Sequence, residues 1–313
     1  MKYIGKRIIM LFTTLLIVSF LVFLAFTIIP GDPAMSKLGM EATPERLDAF
    51  RTENGLNDPL FIRYGNWLYY FIQGDMGTSY SYNMPVGKII AEKLPITFTL
   101  TGIAFLIMIT ISIPLGLYTA KHEGSLVDKS IMVLNQVVMS IPPFFAGILL
   151  TYLFGLILKW FVPGGFVSYK EGIPQFLAYL ITPAIAISLP KCAMSIKILR
   201  SSLSEQAKLD YSRTAFSKGN TTNGVLYHHV LKNALIPVIT FFGMAFTDMI
   251  AGSVIIEQVF GIPGIGRILL TSISNRDYPV VQAIIVLIAF LVIVVNLFVD
   301  LIYRFIDPRM RQN

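Results

Sequence analysis

The sequence predicts an all-α integral membrane protein with six transmembrane helices and both termini in the cytoplasm. Composition and run length predict the class, and charge placement predicts the orientation. The 313-residue chain is 55% hydrophobic and 14% charged, with a mean hydropathy of +0.69, whereas soluble domains are roughly 25% charged. Six uncharged or nearly uncharged runs each reach the roughly 17–25 residues that cross a bilayer core. Basic residues gather beside alternate ends of those runs.

The first run, Ile8–Gly31, is longer than the apolar region of a signal peptide. It ends in Ile28-Ile29-Pro30-Gly31-Asp32-Pro33, so residues 1–31 read as an uncleaved first helix. The later runs are Leu94–Ala120, Ser130–Leu158, Gly172–Pro190, Asn233–Ile256 and Tyr278–Val299, with Asp248 alone interrupting the fifth. They make residues 94–313 a five-helix core.

Orientation follows from the short loops. With the N-terminus inside, Lys2, Lys6, Arg7, Lys121, Lys129, Lys191, Lys197, Arg200, Lys208, Arg213, Lys218 and Lys232 are cytoplasmic, as are Arg304, Arg309 and Arg311. The short outer loops hold only Lys159, Lys170, Arg267 and Arg276. This placement, beside apolar runs and not on one dense face, also argues against nucleic acid as the reason for a net charge of +7.

Residues 32–93 form the one soluble-looking segment and fall outside the membrane on this topology. Thr43-Pro44-Glu45-Arg46 reads as a helix start, with a cap followed by proline at the first helical position. Asn57-Asp58-Pro59 breaks the chain, and Tyr64, Trp67, Tyr69, Tyr70 and Phe71 suit a membrane interface. The segment is either a surface cap on the bundle or a contact for an extracytoplasmic partner.

The stretch from about 197 to 237 is long and polar for a connector. It is patterned as two short helices, the first starting at Ser204-Glu205 and ending at Gly219-Asn220, where a left-handed conformation is tolerated. Thr221-Thr222-Asn223 caps the second.

Within it, Asp210-Tyr211-Ser212-Arg213-Thr214-Ala215-Phe216-Ser217-Lys218-Gly219 resembles the EAA loop of ABC importer permeases of the peptide and nickel branch. His229-Val230-Leu231-Lys232-Asn233-Ala234-Leu235-Ile236-Pro237 is similar to the second half of that loop. Ile29–Pro33, Ser140-Ile141-Pro142-Pro143, Glu257–Gly266, Arg276–Gln282 and Asp307-Pro308-Arg309 stand where the same branch has its motifs, so the resemblance covers nearly the whole chain. Phe216 departs from it where a basic residue is usual, and Asn220 where an aliphatic is common.

The resemblance implies an ABC importer type I-like permease fold in a bacterial or archaeal inner membrane. It implies a coupling helix seated on a cytoplasmic ATPase, carried by Asp210, Tyr211, Arg213, Thr214, Ala215, Lys218 and Gly219. It also implies a second homologous permease, two ATPase subunits that bind ATP and magnesium, and an extracytoplasmic solute-binding protein. The solute would be a di- or oligopeptide, or nickel or a metal chelate.

Gly261-Ile262-Pro263-Gly264-Ile265-Gly266-Arg267-Ile268 has the glycine spacing of a phosphate loop, but arginine stands in place of lysine and isoleucine in place of the magnesium-binding hydroxyl. ATP hydrolysis is therefore expected in separate subunits, with no cofactor in this chain. The sequence holds no metalloprotease motif and no nucleophile–base pair. Cys192 stands alone, and the adjacent His228 and His229 diverge on a helix, so neither suggests a metal site.

Asn135, Ser140 and Asp248 are the polar candidates for a translocation pathway formed by the second, third and fifth spans. Asp248 fits pore lining and a buried interhelical hydrogen bond equally. Gly243, Thr247 and Ala251 form a small-residue stripe suited to close helix packing. Pro114 and Pro142-Pro143 are expected to interrupt their helices. The competing class is a secondary transporter or channel, which needs coupling ionisable groups in its spans and no ATPase.

Overall fold

The computed structural model describes residues 2–28, 33–39, 42–53 and 55–306. The Ile29–Asp32 part of one motif and Asp307-Pro308-Arg309 lie outside the described residues. Those residues are helical throughout their regular parts, with a single isolated β-bridge between Thr78 and Pro85. Among the described residues, five helices are long and apolar enough to cross a membrane, and a bent pair supplies a sixth span if it crosses as one.

The chain divides into two compact units, 1–97 with 263–294, and 98–262 with 295–313. In the first, α1 (Lys2–Ile28) is followed by α2 (Pro33–Leu38), α3 (Pro44–Glu53) and α4 (Leu60–Ile72). The amphipathic α4 does not stand away from the apolar helix. Tyr64 meets Phe20 and Phe23 edge-on, Trp67 packs on Phe23, and Ser19 Oγ shares a 2.8 Å hydrogen bond with the Tyr64 hydroxyl. Tyr69 and Tyr70, read with them as interface residues, stay exposed.

The core of this unit joins the start of α5 (Val86–Lys121), the short α12 (Ile265–Ser274) and the start of α13 (Tyr278–Ile306) through Val86, Ile90, Ile268, Val281 and Ile284. Helix α12 begins at Ile265, inside the glycine-spaced segment Gly261–Ile268. Its first N–H is satisfied by Thr97 Oγ1 at 2.9 Å. Asp277 is fully buried and accepts from Ser79 Oγ, from the Tyr80 N–H at 2.9 Å and from the Ser81 N–H at 3.1 Å. Burial, and then the Asp277 carboxylate, push the Tyr80 phenol up to about 12.

The second unit is a helical bundle. Helix α5 begins at Val86, well before the uncharged run at Leu94, because Lys88, Glu92 and Lys93 extend it at its polar end. It continues through Pro114, where an interruption was expected. Proline removes one N–H, and helices of this kind keep their course where neighbours satisfy the freed carbonyl. Helix α8 (Ile173–Ala207) likewise contains Pro183 and Pro190, and α11 (Leu231–Phe260) contains Pro237.

The tandem prolines act differently. Helix α6 (Leu126–Ser140) ends where Ile141 and Pro142 turn extended, Pro143 opens α7 (Pro143–Leu150), and a π-helical segment, Thr151–Ile157, follows. The two arms meet at 100°. A proline forces the residue before it out of the helical region, and two in succession hold a two-residue break.

Small residues set the packing of this unit. A Cβ added at Gly116 would lie 2.8 Å from a Leu199 methyl, so α5 and α8 pack backbone to side chain, and the buried Ser112 and Ser195 hydroxyls bond at 3.0 Å. Gly243 meets Val299 of α13 in the same way, whereas Ala251 of the same stripe is exposed. The Tyr179 hydroxyl donates to the Phe260 carbonyl at 2.6 Å, satisfying the end of α11.

Candidate functional site

The polar connector is shorter than expected and largely helical. Helix α8 runs on to Ala207, so Ser204-Glu205 lies in its last turns and does not start a new helix. Lys208 and Leu209 break the helix, and α9 spans Asp210–Ser217. Gly219 adopts φ +84°, the left-handed geometry that ends a helix, and Asn220 Nδ2 bonds the Ala215 carbonyl at 3.0 Å. Thr221 then accepts from the Gly224 N–H at 3.2 Å, capping α10 (Thr222–Gly224). A π-helical segment, Val225–Val230, leads into α11 without a gap, so the expected second short helix is the first turns of a 39-residue helix.

One side of α9 is seated on its own bundle. Ser212 and Ala215 are buried, and Ala215 joins a core with Leu199, Leu203, Val225, Val230 and Ala234. Tyr211 packs on that core, and its hydroxyl donates to Gln206 Oε1 at 2.9 Å. The other side carries Asp210, Arg213, Thr214, Phe216 and Lys218, all exposed. The sequence candidates therefore separate into two groups. Tyr211 and Ala215 hold the helix in place, and Asp210, Arg213, Thr214 and Lys218 face away beside Gly219.

The ties that hold the last turns of α8 were not legible as such in the sequence. Arg200, two turns before the end of α8, makes bidentate bonds of 2.6 Å to both oxygens of Asp128. Asp128 is buried and also accepts from the Gly124 N–H at 2.9 Å. Ser204 Oγ bonds Glu123 at 2.8–2.9 Å. The connector between α5 and α6 is thus tied to the last turns of α8. The spacing Ser125-x-x-Asp128, a helix-start signature, was the available signal.

The pathway candidates scatter. Ser140 is exposed and bonds its own helix at the Gln136 carbonyl. Asn135 is buried, and its amide nitrogen has no hydrogen-bond partner among the described residues. Asp248 is neither buried nor alone. It pairs with Lys191 of α8 at 2.5 Å, with side chains 58% and 29% exposed respectively. Lys191 was read as a cytoplasmic loop charge because the uncharged run stops at Pro190. The helix passes straight through that proline, placing Lys191 in the middle of α8.

Residues 112–312 match the model of the binding-protein-dependent transport system inner membrane component, and residues 1–101 match the N-terminal model of the same membrane components. The chain belongs to this family. The permease is 35% identical over 309 residues to the probable peptide ABC transporter permease protein y4tP of Sinorhizobium fredii, covering 99% of both chains. It is 36% identical over 311 residues to the oligopeptide transport system permease protein AppB of Bacillus subtilis, with 98% of each covered. It is 33% identical over 331 residues to the dipeptide transport system permease protein DppB of Alkalihalophilus pseudofirmus, with 99% of each covered. The permease is a multi-pass membrane subunit of an importer that works with ATPase and binding-protein partners, and transport, not chemistry, is its role.

Proposed function

We propose that this permease forms half of a translocation pathway for di- or oligopeptides, paired with a second homologous permease and driven by two cytoplasmic ATPases. The observation that carries the reading is the two-sided α9. Tyr211, Ser212 and Ala215 anchor it to the bundle, and Asp210, Arg213, Thr214, Phe216 and Lys218 present a polar face with one aromatic side chain to a partner. Gly219 sets the turn that makes α9 and α11 one block. A block of this kind transmits a push, because closely packed elements move as units and do not deform.

In this reading both termini and α9 are cytoplasmic, and the segment 32–93 is extracytoplasmic, where a binding protein delivers the solute. ATP and magnesium sit in the ATPases. Closure of the ATPase dimer moves α9, and the spans switch from inward-facing to outward-facing. Asn135, Ser140 and Asp248 lie along the pathway. The peptide names of several full-length relatives support peptides over nickel or a metal chelate as the solute.

Copurification and reconstitution test the proposal. The tagged chain is expected to bring down a second permease and two ATPases. In liposomes the complex, with its binding protein, is expected to take up a labelled dipeptide only when ATP is supplied on the α9 side. Uptake by the chain alone, or uptake indifferent to ATP, would overturn it.

A further inference from the structure

An ion pair in the middle of two apolar helices requires an explanation. By helical rise, Asp248 lies roughly 18 Å from the end of α11 at Phe260. Lys191 lies roughly 25 Å from either end of α8. Asp248 therefore lies well inside the apolar stretch of α11, and Lys191 reaches it from α8. Asp248 is exposed and Lys191 partly so, and Asp248 stands on an uncovered stripe with Met244, Ala251 and Ile255, spaced as one helix face. A charged pair this exposed does not face hydrocarbon, where ionised groups are costly. It faces water or a partner.

We propose that Lys191 and Asp248 form a subsite for zwitterionic solutes on the pathway face. This rests on the peptide-permease reading above. At rest the two charges neutralise each other, so a lone inorganic ion gains little there. A passing peptide opens the pair. Its α-ammonium takes Asp248 and its terminal carboxylate takes Lys191, so one ion pair is exchanged for two with no net change in charge. The exchange supplies counter-charges to a zwitterion that has left bulk water. A merely structural bridge would tie α8 to α11 without regard to the solute's termini.

The test uses the complete complex in liposomes, with ATP and the binding protein saturated by each peptide. Three labelled dipeptides are compared: the free zwitterion, its C-terminal amide and its N-acetyl form. Wild type is expected to favour the zwitterion over both. Lys191→Met should reduce the preference over the amide at least tenfold and leave the preference over the acetyl form within about twofold. Asp248→Asn should do the reverse. Should a single variant fail to assemble, the paired Lys191→Met/Asp248→Asn variant, which leaves no unbalanced charge, should assemble and lose both preferences. Equal loss for all three peptides, or unchanged preferences in assembled variants, would overturn the subsite and leave the permease reading standing. Absence of ATP-driven peptide uptake by the wild-type complex would overturn the permease reading itself.

Discussion

Arg200 grips Asp128 through two bonds of 2.6 Å, and this pair ties the start of α6 to the last turns of α8, whose Leu199 and Leu203 share a core with Ala215 of α9. Asp128 is almost fully buried, so its charge depends on that guanidinium. Asp128→Asn or Arg200→Ala leaves one partner uncompensated, and breaking a buried pair costs about 3–5 kcal/mol. The purified complex is expected to lose thermal stability by several degrees in a detergent melting assay. Arg200→Lys should fall between, because an ammonium cannot reproduce the fork. A melting temperature unchanged in all three would show that the pair is incidental.

Gly219 is the second prediction. No atom crowds it within 4 Å, but its φ of +84° is hostile to any side chain. Gly219→Ala should cost about 1–2 kcal/mol of local backbone energy and loosen the α9 block. Gly219→Asn should be milder, because asparagine tolerates the left-handed region. The measurement is transport per ATP hydrolysed by the reconstituted complex. The expected order is wild type, then asparagine, then alanine.

Gly243 tests packing. An added Cβ would stand 2.0 Å from a Val299 methyl, closer than atoms can approach. Gly243→Ala should destabilise the fold by about 1–3 kcal/mol, the usual cost of overpacking. Val299→Ala in the same chain should recover part of that loss. Yield of folded monodisperse protein reports both.

Alkaline titration probes the Asp277 cluster. Tyr80 holds its proton to about 12 in the folded chain, against 10 for a free phenol. Because the folded pKa is raised, the stabilising contribution is complete below about pH 10 and is lost as pH climbs through about 12. Tyr80→Phe should flatten stability across that window. Asp277→Ala should leave Ser79, Tyr80 and Ser81 without their shared acceptor and expose residues 78–85 to limited proteolysis.

The helical class and the α9 motif were legible because run length, charge placement and an ordered set of motifs report them directly. Element ends were not. The uncharged run before Lys191 stops at Pro190, but α8 continues to Ala207, since a proline in a packed helix need not end it. Pro114 misled for the same reason, while Pro142-Pro143 broke the helix because the two act together. The pairings Lys191–Asp248 and Arg200–Asp128 join residues far apart in the chain, and only the folded bundle specifies such partners. Within Asp210–Gly219, the motif marked the helix but could not say that Ala215 faces inward and Phe216 outward. That depends on where Leu199, Leu203 and Val225 stand.

The central claim is that the outward face of α9 seats on an ATPase. Disulfide trapping tests it most directly, with Cys192→Ala as background and Phe216→Cys introduced into the assembled complex, whose ATPase carries single cysteines along its surface. A cross-link from Phe216→Cys to the ATPase, absent from a control cysteine at the buried Ala215 position and altered in yield by ATP, is the predicted result. An active complex whose Phe216→Cys traps no ATPase at any position, with or without ATP, would contradict the account.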